Sequence, residues 1–139
     1  MREAELAQLE AARVQVGKVA RIRAKCNVIV PKGTYQSPAF TGMPGGSGEP
    51  CGLDGSMREC EKLLAELRYA QARLKQLNRQ AERIIARAGF HEDKREFCRA
   101  YYLRRMSVGE AAKEAGVSER SGWRYKAELE HVKKSKKTR

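Results

Sequence analysis

The sequence predicts an all-α chain: an N-terminal helix and a long coiled-coil helix joined by a Gly/Pro-rich loop, followed by a C-terminal helix-turn-helix domain. Three observations predict it. Small or apolar residues recur every seven positions from Cys60 to Ala88, all four prolines fall between Pro31 and Pro50, and two capping signals flank a glycine turn between Ser107 and Ser118. The boundaries that follow are residues 1–26 for the first helix, 27–55 for the loop, 56–89 for the long helix, 90–132 for the C-terminal domain and 133–139 for a basic tail.

Residues 2 to about 25 lack proline and place Leu6, Leu9, Val16, Val19 and Ile22 among Glu, Gln, Arg and Lys. That spacing gives a narrow apolar stripe, so this helix has to pack on another. From Asn27 to Gly55 all four prolines and seven of the twelve glycines exclude a continuous helix. Val28-Ile29-Val30 is expected to be a short extended piece and the remainder an irregular linker. Gly45-Gly46-Ser47-Gly48 lacks the Lys-Ser/Thr that completes a phosphate loop, so no nucleotide site is read there.

Along the long helix, Cys60, Leu67, Leu74, Ala81 and Ala88 alternate with Leu63, Ala70, Leu77 and Ile84, an unbroken a/d seam. At 1.5 Å per residue it extends for about 43 Å and must be covered. The N-terminal helix folded back, a second copy of the same helix, or both in a four-helix arrangement satisfy it equally. Leu63, Leu67, Leu74, Leu77 and Ile84 are the expected oligomerisation residues. Arg68, Arg73, Arg79, Arg83 and Arg87 line the flanks, read first as a solvated face and second as a DNA-backbone contact near the helix end.

Gly89 ends that helix, and His91 to Arg105 is expected to form the first helix of the C-terminal domain, with Phe97 and Tyr101 inward. Ser107 and Glu110 make a capping box that starts the next helix at Val108. Its inward residues, Ala111, Ala112 and Ala115, allow close approach, and Gly116 supplies the left-handed residue that stops it. Ser118 then caps a last helix running to about His131. Tyr125 and Leu129 face inward, leaving Glu119, Arg120, Ser121, Trp123 and Arg124 outward. In an element of this layout the outward set of the second helix reads base edges in the major groove, Arg pairing with guanine and Ser with a base or phosphate. Ser118, Arg99, Arg104, Arg105, Lys126, Lys133 and Lys134 are the expected phosphate contacts.

Composition agrees with a nucleic-acid partner. The chain carries a formal charge of +12 over 139 residues, with a pI near 9.9. No long apolar segment, signal peptide or lipidation motif points to a membrane, so a cytoplasmic protein is expected. Cys26, Cys51, Cys60 and Cys98 form no CxxC pair and lie far from His91 and His131, so they are read as reduced thiols rather than metal ligands. No catalytic set and no cofactor motif is found, and an enzyme is not expected.

The residues Tyr102-Leu103-Arg104-Arg105-Met106-Ser107, Glu110-Ala111-Ala112, Gly116-Val117-Ser118-Glu119-Arg120-Ser121 and Arg124 resemble region 4 of sigma factors. With Thr41-Gly42-Met43-Pro44-Gly45-Gly46, they resemble more closely the phage late-operon transcription regulators of the ArpU/RinA type. This resemblance implies a sequence-specific regulator that binds double-stranded DNA in a bacterial host cell and acts with RNA polymerase, as a homo-oligomer with a dimer favoured. Two positions depart from the family: Arg105 stands where glycine is usual, and Gly122 where the reader helix usually buries an aliphatic side chain. Gly122 predicts a reader helix that is weakly formed away from DNA. A phage small terminase subunit and a coiled-coil scaffold without specific DNA binding are the alternatives; a ring of subunits would mark the first, and no DNA binding at low salt the second.

Overall fold

The computed structural model describes residues 1–33 and 53–134. The described residues are all-helical: α1 (Glu3–Gly33), α2 (Leu53–Arg87), α3 (Glu92–Cys98), a π-helical turn (Arg99–Leu103), α4 (Val108–Glu114) and α5 (Glu119–Lys134). None of these helices is long and apolar enough to cross a membrane. The chain divides into two compact units, one of Met1–Gly17 with Ala72–Arg139 and the other of Lys18–Gln71.

Two boundaries differ from the sequence reading. Val28-Ile29-Val30 is helical rather than extended, and α1 runs past Pro31 to Gly33. Pro31 stands in the last turn, where its missing N–H removes one backbone bond near a helix end and the preceding turns carry the helix. At the other side α2 already begins at Leu53. The expectations for Thr41-Gly42-Met43-Pro44 and Gly45-Gly46-Ser47-Gly48 lie outside the described residues.

In the first unit, Leu6, Leu9 and Ala12 of α1 are fully buried in one cluster with Leu77, Ala81, Ile84 and Ile85 of α2, Cys98 of α3, Tyr102 and Leu129 of α5. Each fully buried Leu or Ile contributes roughly 1.5–3 kcal/mol. Every position of the heptad seam from Cys60 to Ala88 is buried or half-buried. Leu77 and Ile84, expected to serve oligomerisation, are thus packed within the chain, because α1 supplies Leu6, Leu9 and Ala12 to the same cluster. Leu74 is half-buried.

In the second unit Val19, Cys26 and Ala70 are buried, while Ile22, Cys60, Leu63 and Leu67 are half-buried. Leu63 lines an open groove of about 590 Å³ with Ala24, Val28, Lys25, Glu59, Lys62 and Glu66.

Candidate nucleic-acid interface

The candidate interface is built on α4 and α5, and both begin on serine caps. Ser107 Oγ accepts the Glu110 backbone N–H at 3.3 Å, while Glu110 Oε2 accepts the Ser107 backbone N–H at 2.9 Å and its hydroxyl at 2.8 Å. These bonds to Ser107, the backbone one first, hold the Glu110 carboxyl below its ordinary range. At the end of α4, Gly116 takes φ +70°. Its N–H donates to Lys113 O at 3.1 Å and that of Val117 to Ala112 O at 2.9 Å, the paired bonds that close a helix on a left-handed residue. Ser118 Oγ accepts the Ser121 N–H at 3.3 Å and lies 2.9 Å from the Ser121 hydroxyl, starting α5.

The backing of α5 is dense. Gly122 is buried where the helix crosses α4, and a Cβ there would lie 3.0 Å from Ala112 Cβ, 3.1 Å from Phe97 Cε2 and 3.3 Å from Val108 Cγ1. The helix continues unbroken through this glycine, whose missing side chain permits the close crossing. Phe97 stacks parallel on Tyr101 and meets Tyr125 edge-on, with ring centroids 5.8 Å apart in both pairs.

On the other face Glu119, Arg120, Trp123 and Arg124 are exposed and Ser121 is half-buried. Trp123 is 52% exposed, and its Nε1 donates to Glu119 Oε1 at 3.3 Å. Lys126 sets its ammonium 5.2 Å from the Trp123 ring and 3.7 Å from Glu130. Arg124 lies 4.0 Å from Glu128, and Arg120 has no ion-pair or hydrogen-bond partner among the described residues. All five residues expected to read bases therefore fall in the first two turns of one helix.

Neither a known protein family, nor a curated protein, nor a solved structure matches this chain.

The residues expected to touch phosphates are not gathered in the same way. Arg99 bridges Glu82, at 3.2 Å, and Glu96, and both carboxylates raise its guanidinium's affinity for its proton. Arg104 is paired with Glu114. Arg105 follows the π-helical turn with φ +55°, its guanidinium against the backbone of Gly17 in α1. The side chains of Lys133 and Lys134 lie outside the described residues, although α5 reaches Lys134, beyond the expected end near His131.

The expected helix from His91 to Arg105 is instead α3 followed by the π-helical turn, whose Arg104 N–H returns to Arg99 O at 3.2 Å. Met106 N–H then reaches Ala100 O at 3.1 Å. Sequence reasoning missed the residue that stabilises this joint. Arg13 of α1 donates to Tyr101 O and, at 3.0 Å, to Met106 O, with its guanidinium 3.9 Å from the Tyr101 ring centre. No local signal marks it, because its partners are 88 and 93 residues away.

Cys26 and Cys98 are buried and Cys60 is half-buried, all as free thiols. Burial pushes the Cys98 thiol up to about 12, far from a reactive thiolate. Among the described residues no group of His, Cys, Asp and Glu is placed to hold a metal ion.

Proposed function

We propose that this chain is a sequence-specific, non-catalytic DNA-binding regulator whose reader is α5. One observation carries the reading: the helix has an inward face fixed by Gly122, Tyr125 and Leu129, and an outward face on which Arg120, Trp123 and Arg124 are exposed near a capped N-terminus. A reader must be rigid behind and open in front, since base contacts discriminate only when their donors are held in register. The positive charge of the chain supplies the sequence-independent attraction that precedes reading.

The resemblance of residues 102–124 to sigma region 4 and to phage late-operon regulators extends this proposal to its setting. The protein acts at promoters in the cytoplasm of a bacterial host, with RNA polymerase as partner, and activates late genes. As a homodimer it binds half-sites on one face of the duplex, about 10 bp apart or a multiple of that.

A footprint on the DNA flanking its own gene gives the site, and titration of that duplex with variants tests the reader. Arg120→Ala and Arg124→Ala should each weaken binding by roughly 1–3 kcal/mol and relax the preference at one base pair. Unchanged affinity in both variants would refute the assignment.

A further inference from the structure

The acidic residues of the first unit are spent unevenly. Arg99, Arg104, Lys94, Arg124 and Lys126 each have a glutamate within 4.0 Å. On the part of α2 in this unit no cation has one: four, Lys75, Arg79, Arg83 and Arg87, are exposed and have no ion-pair partner among the described residues, and Arg73, also exposed, bonds only the neutral Gln76. Glu82, the one acid of α2 from Ala72 to Arg87, is taken by Arg99. Unopposed positive charge is therefore found along α2, as it is at Arg120, but not at Arg99 and Arg104, where the sequence places phosphate contacts.

The four follow one another at intervals of four residues, so they form one stripe of about 18 Å with neighbours about 6 Å apart along the axis. This stripe lies away from the buried Leu77, Ala81 and Ile84. Like charges at this interval oppose helix formation, so the arrangement is not explained by the stability of α2. Arg87 in the last turn gains from the helix dipole; Lys75 and Arg79 lie too far from the end to do so.

We propose that the outward face of α2 from Lys75 to Arg87 is a second, sequence-independent DNA surface that binds duplex phosphates while α5 reads bases. It rests on the reading of the chain as a DNA-binding protein. Over 18 Å a duplex presents on the order of ten phosphate charges, enough to engage all four side chains. An anionic membrane is the poorer partner, because helices that lie on membranes insert an apolar face, and that face of α2 is buried against α1.

The test is titration of the full chain with cognate and scrambled duplexes over a range of salt. The variant Lys75→Gln/Arg79→Gln/Arg83→Gln should flatten the plot of log affinity against log salt by about 0.9 per lost contact, so by up to about 2.7. Its ratio of cognate to scrambled affinity should remain that of the wild type. Removing like-charge pairs cannot unfold α2, and circular dichroism checks this. The control Lys18→Gln/Arg21→Gln/Arg23→Gln removes equal charge from exposed positions of the other unit. Equal flattening in both variants, or none in the first, overturns the proposal, as does binding to phosphatidylserine vesicles without binding to duplex. Flattening specific to the α2 variant in a protein without sequence preference would sustain this surface and sink the reader.

Discussion

Gly122 and Arg105 each occupy a position that local rules would give to the other kind of residue. Glycine inside α5 costs about 1 kcal/mol relative to alanine, yet its hydrogen faces Ala112, Phe97 and Val108 at a separation that a methyl group would crowd. Arginine at φ +55° adopts a conformation that glycine would take without strain, and its guanidinium rests on Gly17. Gly122→Ala decides which effect wins. The nearest atom, Ala112 Cβ, is fixed to the α4 backbone, and Phe97 and Val108 are buried, so overpacking of about 1–3 kcal/mol should outweigh the gain in helix propensity. The expected outcome is a net loss of about 1 kcal/mol, read as a lower urea midpoint at unchanged slope. A higher midpoint would show that the crossing has room.

The elements divide by the range over which their causes act. Ser107, Glu110, Gly116 and Ser118 settle the ends of α4 and the start of α5 within twelve residues, so these were legible in the sequence. The heptad of α2 was legible for the same reason, as a pattern repeated along one helix. The π-helical turn was not, since Arg13, which bonds to it, lies 88 residues away, and neither were the pairs of Arg99 with Glu82 and Arg104 with Glu114, since the sequence does not place those carboxylates beside them. The outward face of α5 was read from helical spacing, whereas the crossing at Gly122 required knowing where Phe97 and Val108 lie.

The cap of α4 has a pH signature. Glu110 has a lowered carboxyl pKa in the folded protein, so its contribution is fully present above the ordinary carboxylate pKa and is lost as pH falls through the lowered value. The stability gap between wild type and Glu110→Gln should be open at neutral pH and close in acid. A gap that persists at the lowest workable pH would assign it to something other than the carboxylate. Ser107→Ala should cost about 1 kcal/mol at neutral pH, as expected for removal of an N-cap.

At the scale of the molecule, residues 1–17 belong to the same compact unit as α5. Leu9 is fully buried in the cluster that contains Leu129 of α5. Leu9→Ala should therefore destabilise the C-terminal helices by about 2–5 kcal/mol and lower their melting temperature, although the substitution is more than 80 residues from α3. Hydrogen exchange resolves it: amides of α4 and α5 should lose protection together with those of α1. Loss confined to α1 would mean that the C-terminal helices stand alone.

Arg13 and Leu9 also set an order of events during synthesis. They leave the ribosome while Tyr101, Met106 and Leu129 are still to be made. At about 5–20 residues per second, Leu9 waits roughly 6–24 s for Leu129. Leu77, Ala81 and Ile84 of α2 join the cluster part-way through that interval, Leu129 of α5 completes it at the end, and contacts separated so widely in sequence close slowly. The apolar stripe of α1 is thus most exposed to aggregation and proteolysis before Leu77 to Ile85 emerge, and the cluster stays incomplete until α5 follows.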